Sequence, residues 1–111
     1  MSQSREERIA RNEILFREIN ERLKEMQDTF NVATEDPSFV CECGNVECTE
    51  RIPMSLSEYE RLRGDPTTFA VVEGHQARDV EDVVEKAAAH LVVRKHEGEA
   101  ARIARLDDPR R

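Results

Sequence analysis

The sequence predicts an α+β fold: a long N-terminal helix, then a small antiparallel sheet with one or two short helices. Three observations carry this expectation. Residues 4–30 contain no Gly or Pro and follow a helical period, short apolar segments bounded by turn residues recur between 39 and 95, and all three cysteines fall between Cys41 and Cys48.

The helix is expected over Ser4 to about Phe30, opened by Ser4 and Glu7 at capping-box spacing. Ile9, Phe16, Leu23 and Phe30 stand seven apart, interleaved with Asn12, Ile19 and Met26, which is a heptad seam with one polar Asn. Glu7→Arg11, Glu13→Arg17 and Glu18→Arg22 place each acid four residues before its base, a pattern expected on a solvated face. A helix of ~25 residues is roughly 37 Å long, longer than the small domain behind it. Part of the seam, with Phe16, Ile19, Leu23 and Met26, is therefore expected to meet a protein partner or a second copy of the chain. The competing expectation is that the helix lies along its own sheet.

Asn31 to Ser38, with Asp36-Pro37, reads as a connector, because Pro ends helical propagation. Phe39-Val40-Cys41-Glu42 and Thr49 to Met54 read as the two strands of a hairpin with the cysteines at its tip. Ser55 to Arg63 is a short helix with Leu56, Tyr59 and Leu62 on one side, a cap pair in Ser55/Glu58, and Gly64-Asp65-Pro66 as its stop. Phe69 to Glu73 is a further strand ending at Gly74-His75. Between Val80 and Lys95 the pattern favours a helix or irregular turn as far as Ala89, then a strand from His90 to Lys95. Glu99 to Leu106 forms a last short helix after Gly98, and 107–111 is expected to fray. The organisation is thus a helix and connector at 1–33, a small α+β domain at 34–106 and a tail.

Cys41-Glu42-Cys43-Gly44-Asn45-Val46-Glu47-Cys48 supplies three thiols from one loop, the donor type that zinc prefers. Gly44 is expected to provide the turn that lets the thiols converge. Among the histidines, His75 is the fourth-ligand candidate, since it follows a strand and a glycine, whereas His90 and His96 lack a preceding turn residue. Three thiolates and a neutral imidazole leave a Zn²⁺ site with one net negative charge, which Arg51 is placed to offset. The expected fold is therefore a zinc-stapled sheet; the competing readings of the cysteines are metal-free buried thiols or a redox switch.

Four protein ligands make a closed, structural site rather than a hydrolytic one. No His-Glu-x-x-His, Gly-rich phosphate loop or Gly-x-Ser-x-Gly elbow occurs, so the expectation is a non-enzymatic adaptor or regulator. The formal net charge of −7 argues against nucleic acid as the main partner, because phosphate binding rests on Lys and Arg. A zinc module at the ribosome or transcription machinery, using Arg5/Arg8/Arg11 or Arg102/Arg105/Arg110/Arg111, is the alternative. The apolar runs are too short to span a bilayer, and the N-terminus is charged rather than signal-like. A cytoplasmic setting is expected, where an odd number of thiols points to metal binding rather than disulfides.

Arg11-Asn12-Glu13, Phe16-Arg17-Glu18-Ile19-Asn20-Glu21, Phe39-Val40-Cys41-Glu42-Cys43-Gly44 and Phe69-Ala70-Val71-Val72-Glu73-Gly74-His75 together resemble a group of small bacterial proteins with the same order of segments. The resemblance covers most of the chain. It implies the three-cysteine knuckle with its Gly-His and implies no particular activity.

Overall fold

A computed structural model describes residues 4–29 and 38–110. The expected connector at 31–37 and the seam position Phe30 lie outside the described residues. The fold is α+β. Helix α1 (Arg5–Thr29) opens at Ser4, whose Oγ accepts from the Glu7 amide at 3.1 Å. Strands β1 (Ser38–Val40) and β2 (Arg51–Pro53) form an antiparallel hairpin with Phe39 opposite Ile52. Helix α2 (Leu56–Arg63) starts on the capping box that its spacing predicts: Ser55 Oγ accepts from Glu58 N at 3.1 Å, and Glu58 Oε1 accepts from Ser55 N at 3.2 Å. Strands β3 (Thr68–Val71), β4 (Glu81–Lys86) and β5 (Leu91–Lys95) make an antiparallel sheet of order β3-β5-β4, and helix α3 (Glu99–Leu106) follows.

β4 corrects the expectation of a helix or irregular segment before Ala89. Only Glu81 of its six residues is buried, so the strand carries no apolar alternation to betray it. Its backbone pairs with β5 across a tight turn in which Ala87 N donates to His90 O at 2.9 Å. Cross-strand pairing overrides the helical propensity of Glu85-Lys86-Ala87-Ala88-Ala89.

The core centres on Phe39, Ile52, Tyr59, Phe69, Val71 and Val93, each at most 1% exposed. Phe39 and Tyr59 stack with centroids 4.4 Å apart and planes 4° from parallel. Full burial of such a side chain contributes about 1.5–3 kcal/mol. Glu42 N donates to Ala70 O at 2.8 Å, so the hairpin strand is tied to β3 just beyond β1.

Helix α1 adds Ile9, Ala10, Ile14 and Phe16 to the buried set, together with three polar residues: Glu13, Arg17 and Asn20. The pair Glu13/Arg17, expected on a solvated face, points inward instead. Lys95 Nζ donates to Glu13 Oε1 at 2.6 Å and to Glu81 Oε1 at 2.9 Å, all three side chains being buried. Arg17 donates to the carbonyls of Pro66, Ala104 and Asp107, which holds the C-terminal turn of α3, and its guanidinium lies 5.2 Å from the centre of the Phe69 ring. Asn20 brackets Val40, donating to its carbonyl and accepting from its amide. Each inward polar group thus finds a partner far along the chain, which is what makes its burial tolerable.

The heptad seam is split by this rotation. Ile9 and Phe16 are buried, Leu23 is partly buried against the core, and Ile19 and Met26 are exposed. Asn12 does not sit in a helix-helix seam: its Nδ2 donates to Gly44 O at 2.8 Å.

Candidate metal centre

The first half of the loop from Cys41 to Cys48 is fastened at Cys41, Glu42 and Gly44. Cys41 N donates to Glu50 O at 3.0 Å, which extends the hairpin pairing by one residue beyond β1. Cys41 and Cys43 are two apart in extended chain and so share a face, while Glu42 between them points into the core. There its carboxylate receives Arg63 in a two-nitrogen fork at 2.7 and 2.8 Å, Asn20 Nδ2 at 2.8 Å and the Ala70 amide at 3.1 Å. Arg63 and Glu42 are both buried, and this fork fixes the orientation of the two flanking thiols. Asn12 then holds the Gly44 carbonyl from α1.

Gly44 plays a different part from the expected one. It is not among the glycines of positive φ; a Cβ on it would lie 2.7 Å from Ile9 Cγ2. The residue is small because α1 passes directly over the loop.

The remaining two candidate ligands, Cys48 and His75, each stand at the fourth position of a hydrogen-bonded turn. Cys48 N donates to Asn45 O at 3.0 Å, with Glu47 N donating to Asn45 Oδ1 at 3.0 Å. His75 N donates to Val72 O at 2.9 Å, and Gly74, at φ +98°, occupies the third position, where a turn with positive φ calls for glycine. The Gly-His pair is thus one structural unit: the glycine makes the turn and the turn delivers the imidazole.

Cys41 Sγ, Cys43 Sγ, Cys48 Sγ and an imidazole nitrogen of His75 all lie within 4.8 Å of one another, close enough to hold one metal ion. His75 Nδ1 is 3.5 Å from Cys48 Sγ and 3.7 Å from Cys41 Sγ. All three thiols are free. Cys41 and Cys43 are buried, and Cys48 and His75 are half-buried at the rim. The Val72 amide, just past the end of β3, donates to Cys41 Sγ at 3.2 Å and so supports that sulfur.

Proton affinity is unevenly shared. A hydrogen bond from Cys41 draws Cys43 down to about 5, while Cys41 is pushed up by that bond and by burial, and Cys48 is raised chiefly by burial. Cys43 is the thiol that ionises first, because its neighbours donate towards it.

Arg51, expected to balance the site's charge, instead donates to Ser38 O and Ser38 Oγ, both at 3.0 Å. His90 and His96 stand elsewhere; His96 Nε2 lies 3.1 Å from Asp82. Of the residues expected to meet a partner, Phe16 and Leu23 face the chain's own core, and Ile19 and Met26 are 37% and 56% exposed. Sequence reasoning missed the supporting set of Glu42, Arg63, Asn20 and Asn12. The available signal was the charged residue between Cys41 and Cys43, whose alternation turns it away from the thiols.

Comparison with protein-family models, with curated proteins and with solved structures returns no match. Among the described residues, no helix is long and apolar enough to cross a membrane.

Proposed function

We propose that this chain is a non-enzymatic zinc-binding adaptor or regulator. In this reading Zn²⁺ on Cys41, Cys43, Cys48 and His75 pins the β1–β2 tip to the end of β3, and the outer face of α1 meets a protein partner or a second copy. The observation that carries the metal is the convergence of four donors from two separate turns. With Zn–S near 2.3 Å and Zn–N near 2.0 Å, a tetrahedron has S···N edges of about 3.5 Å. The distances of 3.5 and 3.7 Å from His75 Nδ1 to two of the sulfurs match that edge. Three soft thiolates favour zinc over magnesium or calcium, which take oxygen ligands. Four protein donors leave no coordination position for a reacting water, which supports a structural role. A reducing, cytoplasmic setting would keep the thiols available.

Support for a docking role of α1 comes from Leu15, Ile19 and Met26, which stay exposed at 44%, 37% and 56% while Phe16 and Leu23 anchor the helix from beneath. Against a nucleic-acid role stand the ion pairs that engage the arginines: Arg11 with Asp107, Arg102 with Glu99, Arg105 with Glu97, and Arg110 with Glu21 and Glu60. Native mass spectrometry with elemental analysis tests the metal. One zinc per chain is expected, and a folded chain free of metal after purification with zinc present would end the proposal. A thiol sensor is the second reading, favoured by the half-buried Cys48 beside the readily ionised Cys43. Peroxide would then release the metal and oxidise these positions, as mass spectrometry would report.

A further inference from the structure

We propose that the notch formed by Glu21 of α1 with Tyr59 and Glu60 of α2 is a guanidinium-recognition site that the chain closes with its own Arg110, and that an arginine-bearing segment of a partner protein takes that residue's place. The notch shares no residue with the metal centre or with the exposed apolar positions of α1. Tyr59 is on the inward side of α2 and fully buried, whereas the side chain of Glu60, one position on, is half-exposed. On α1, Glu21 and Lys24 are three apart and so share a face. Lys24 Nζ lies 3.3 Å from Glu60 Oε1, which ties the two helices together beside the notch.

The occupant defines the chemistry. Arg110 uses all three guanidinium nitrogens. Its Nε donates to Glu21 Oε1 at 2.8 Å, its terminal nitrogens donate to Glu60 Oε2 at 2.5 Å and Glu60 Oε1 at 3.0 Å, and the second of these also reaches Glu21 Oε2 at 3.4 Å. The guanidinium carbon lies 5.8 Å from the centre of the Tyr59 ring, within cation–π range. Two carboxylates thus take two edges of one planar fork beside an aromatic ring. A lysine ammonium, a single point of charge, cannot answer both carboxylates in this way. Two acidic side chains alone would be an ordinary solvated surface, but here a guanidinium is seated between them, and the Glu21 side chain is only 12% exposed. Arg110 also holds the Glu60 carboxyl below its ordinary range.

The segment that carries Arg110 is otherwise lightly held. Arg17 fixes the Asp107 carbonyl, and Asp108 N donates to Arg105 O at a long 3.4 Å. Pro109 is exposed and has no N–H, and the Arg110 amide is spent within the segment on Asp108 Oδ1 at 3.0 Å. The contact with Glu21 and Glu60, 89 and 50 positions away, is therefore made by one side chain. Ion pairs open to solvent are individually weak and screened by salt, so the latch can be displaced. Tethering is what favours it, and for a short flexible link this amounts to an effective concentration in the millimolar range. A partner's arginine meets a competitor of the same chemistry, and a segment that adds contacts of its own prevails at lower concentration than the bare side chain.

The test is an amide-shift titration of the isotope-labelled full chain, and of its Arg110→Ala variant, with N-acetyl-arginine amide and with the lysine analogue. In Arg110→Ala the arginine ligand should give saturable shifts at Glu21, Tyr59 and Glu60 with a dissociation constant in the millimolar range. The parent should bind it several-fold more weakly, because Arg110 competes. The lysine analogue should bind roughly tenfold more weakly than the arginine ligand or worse, having no fork to share between the two carboxylates. Adding Glu60→Gln to Arg110→Ala should abolish the binding. In the parent, the Arg110 Nε–H resonance reports the latch itself and should move to the position of a free arginine as ligand is added, which decides the matter on the native chain even where a variant fails to fold. No saturable shift of Arg110→Ala at about 50 mM arginine ligand, equal binding of the lysine analogue, or equal affinity of parent and variant would overturn the proposal and leave Arg110 as a structural tie alone.

Discussion

Gly44 and Ile9 touch with no space for a side chain between them: a methyl group on Gly44 would lie 2.7 Å from Ile9 Cγ2 and 3.1 Å from Ile9 Cβ. The loop bearing the thiols and the first turns of α1 therefore pack as one unit, reinforced by Asn12 on the Gly44 carbonyl. Gly44→Ala should cost about 1–3 kcal/mol, the usual penalty of overpacking. Ile9→Ala in the same chain removes the two γ carbons that the new methyl group meets, so the double variant should be more stable than the sum of the single losses allows, giving a coupling energy in a double-mutant cycle. Urea denaturation of the metal-loaded protein measures both, and strict additivity of the two changes would contradict the contact.

The metal is expected to contribute a large part of stability, because it closes the gap between the 41–48 loop and the Val72–His75 turn. Metal held at a thousandfold excess over its dissociation constant stabilises by about 4 kcal/mol. Chelation should therefore lower the melting temperature markedly, and zinc but not magnesium should restore it. Cys43→Ser, at the buried and most readily ionised thiol, should lose metal more completely than His75→Ala, which leaves all three sulfurs. Elemental analysis after dialysis would expose the reverse order.

Glu42 links the site to the core. Its fork with Arg63 is fully buried, so Glu42→Gln, which leaves Arg63 with an uncompensated charge, should cost about 3–5 kcal/mol. Because the same residue sets the facing of Cys41 and Cys43, metal affinity should fall with it. Competition against a chromogenic chelator reports the affinity separately from the unfolding midpoint; unchanged affinity would show that the thiols are oriented without the fork.

The exposed face of α1 makes a different kind of prediction. Ile19→Glu and Met26→Glu remove apolar surface that the described residues leave exposed, so stability should stay within about 0.5 kcal/mol of the parent. Self-association or partner capture, measured by sedimentation, should be abolished. Phe16→Ala, by contrast, should destabilise by about 3–5 kcal/mol, since that ring is buried.

The convergence of Cys41, Cys43, Cys48 and His75 was legible in the sequence because a metal site demands particular residue types at short spacing, and Gly74 before His75 marks a turn that the backbone requires. The capping box of α2 was legible for the same reason: Ser55 and Glu58 complete each other within one helical turn. The inward face of α1 was not. Glu13, Arg17 and Asn20 look solvated in any local window, and what makes them core residues is a set of partners far away, Lys95 at 82 positions' distance among them. A heptad reading ranks residues by hydrophobicity alone and so chose Ile19 and Met26 over these three. β4 escaped notice because an edge strand with one buried residue has no period to detect.

The Glu13–Lys95–Glu81 triad allows the sign of a pH effect to be worked out. Two carboxylates and one ammonium are buried together, and Glu13 Oε2 has no hydrogen-bond partner among the described residues. Burial, and then the adjacent Glu81 carboxylate, hold Glu13 well above its ordinary 4.5, while Glu13 and Glu81 overcome the effect of burial on Lys95 and raise it. The folded chain thus keeps a proton on Glu13 that the unfolded chain releases. From about 4.5 upward the folded state binds more protons, so stability is greatest below that value and falls as pH rises towards the folded pKa. Glu13→Gln mimics the protonated acid and still accepts from Lys95. It should match the parent near pH 4 and exceed it in stability at pH 8. Unfolding midpoints of the two proteins across pH 4–8 decide it: a Gln variant less stable than the parent at pH 8 would mean that Glu13 is ionised against Lys95.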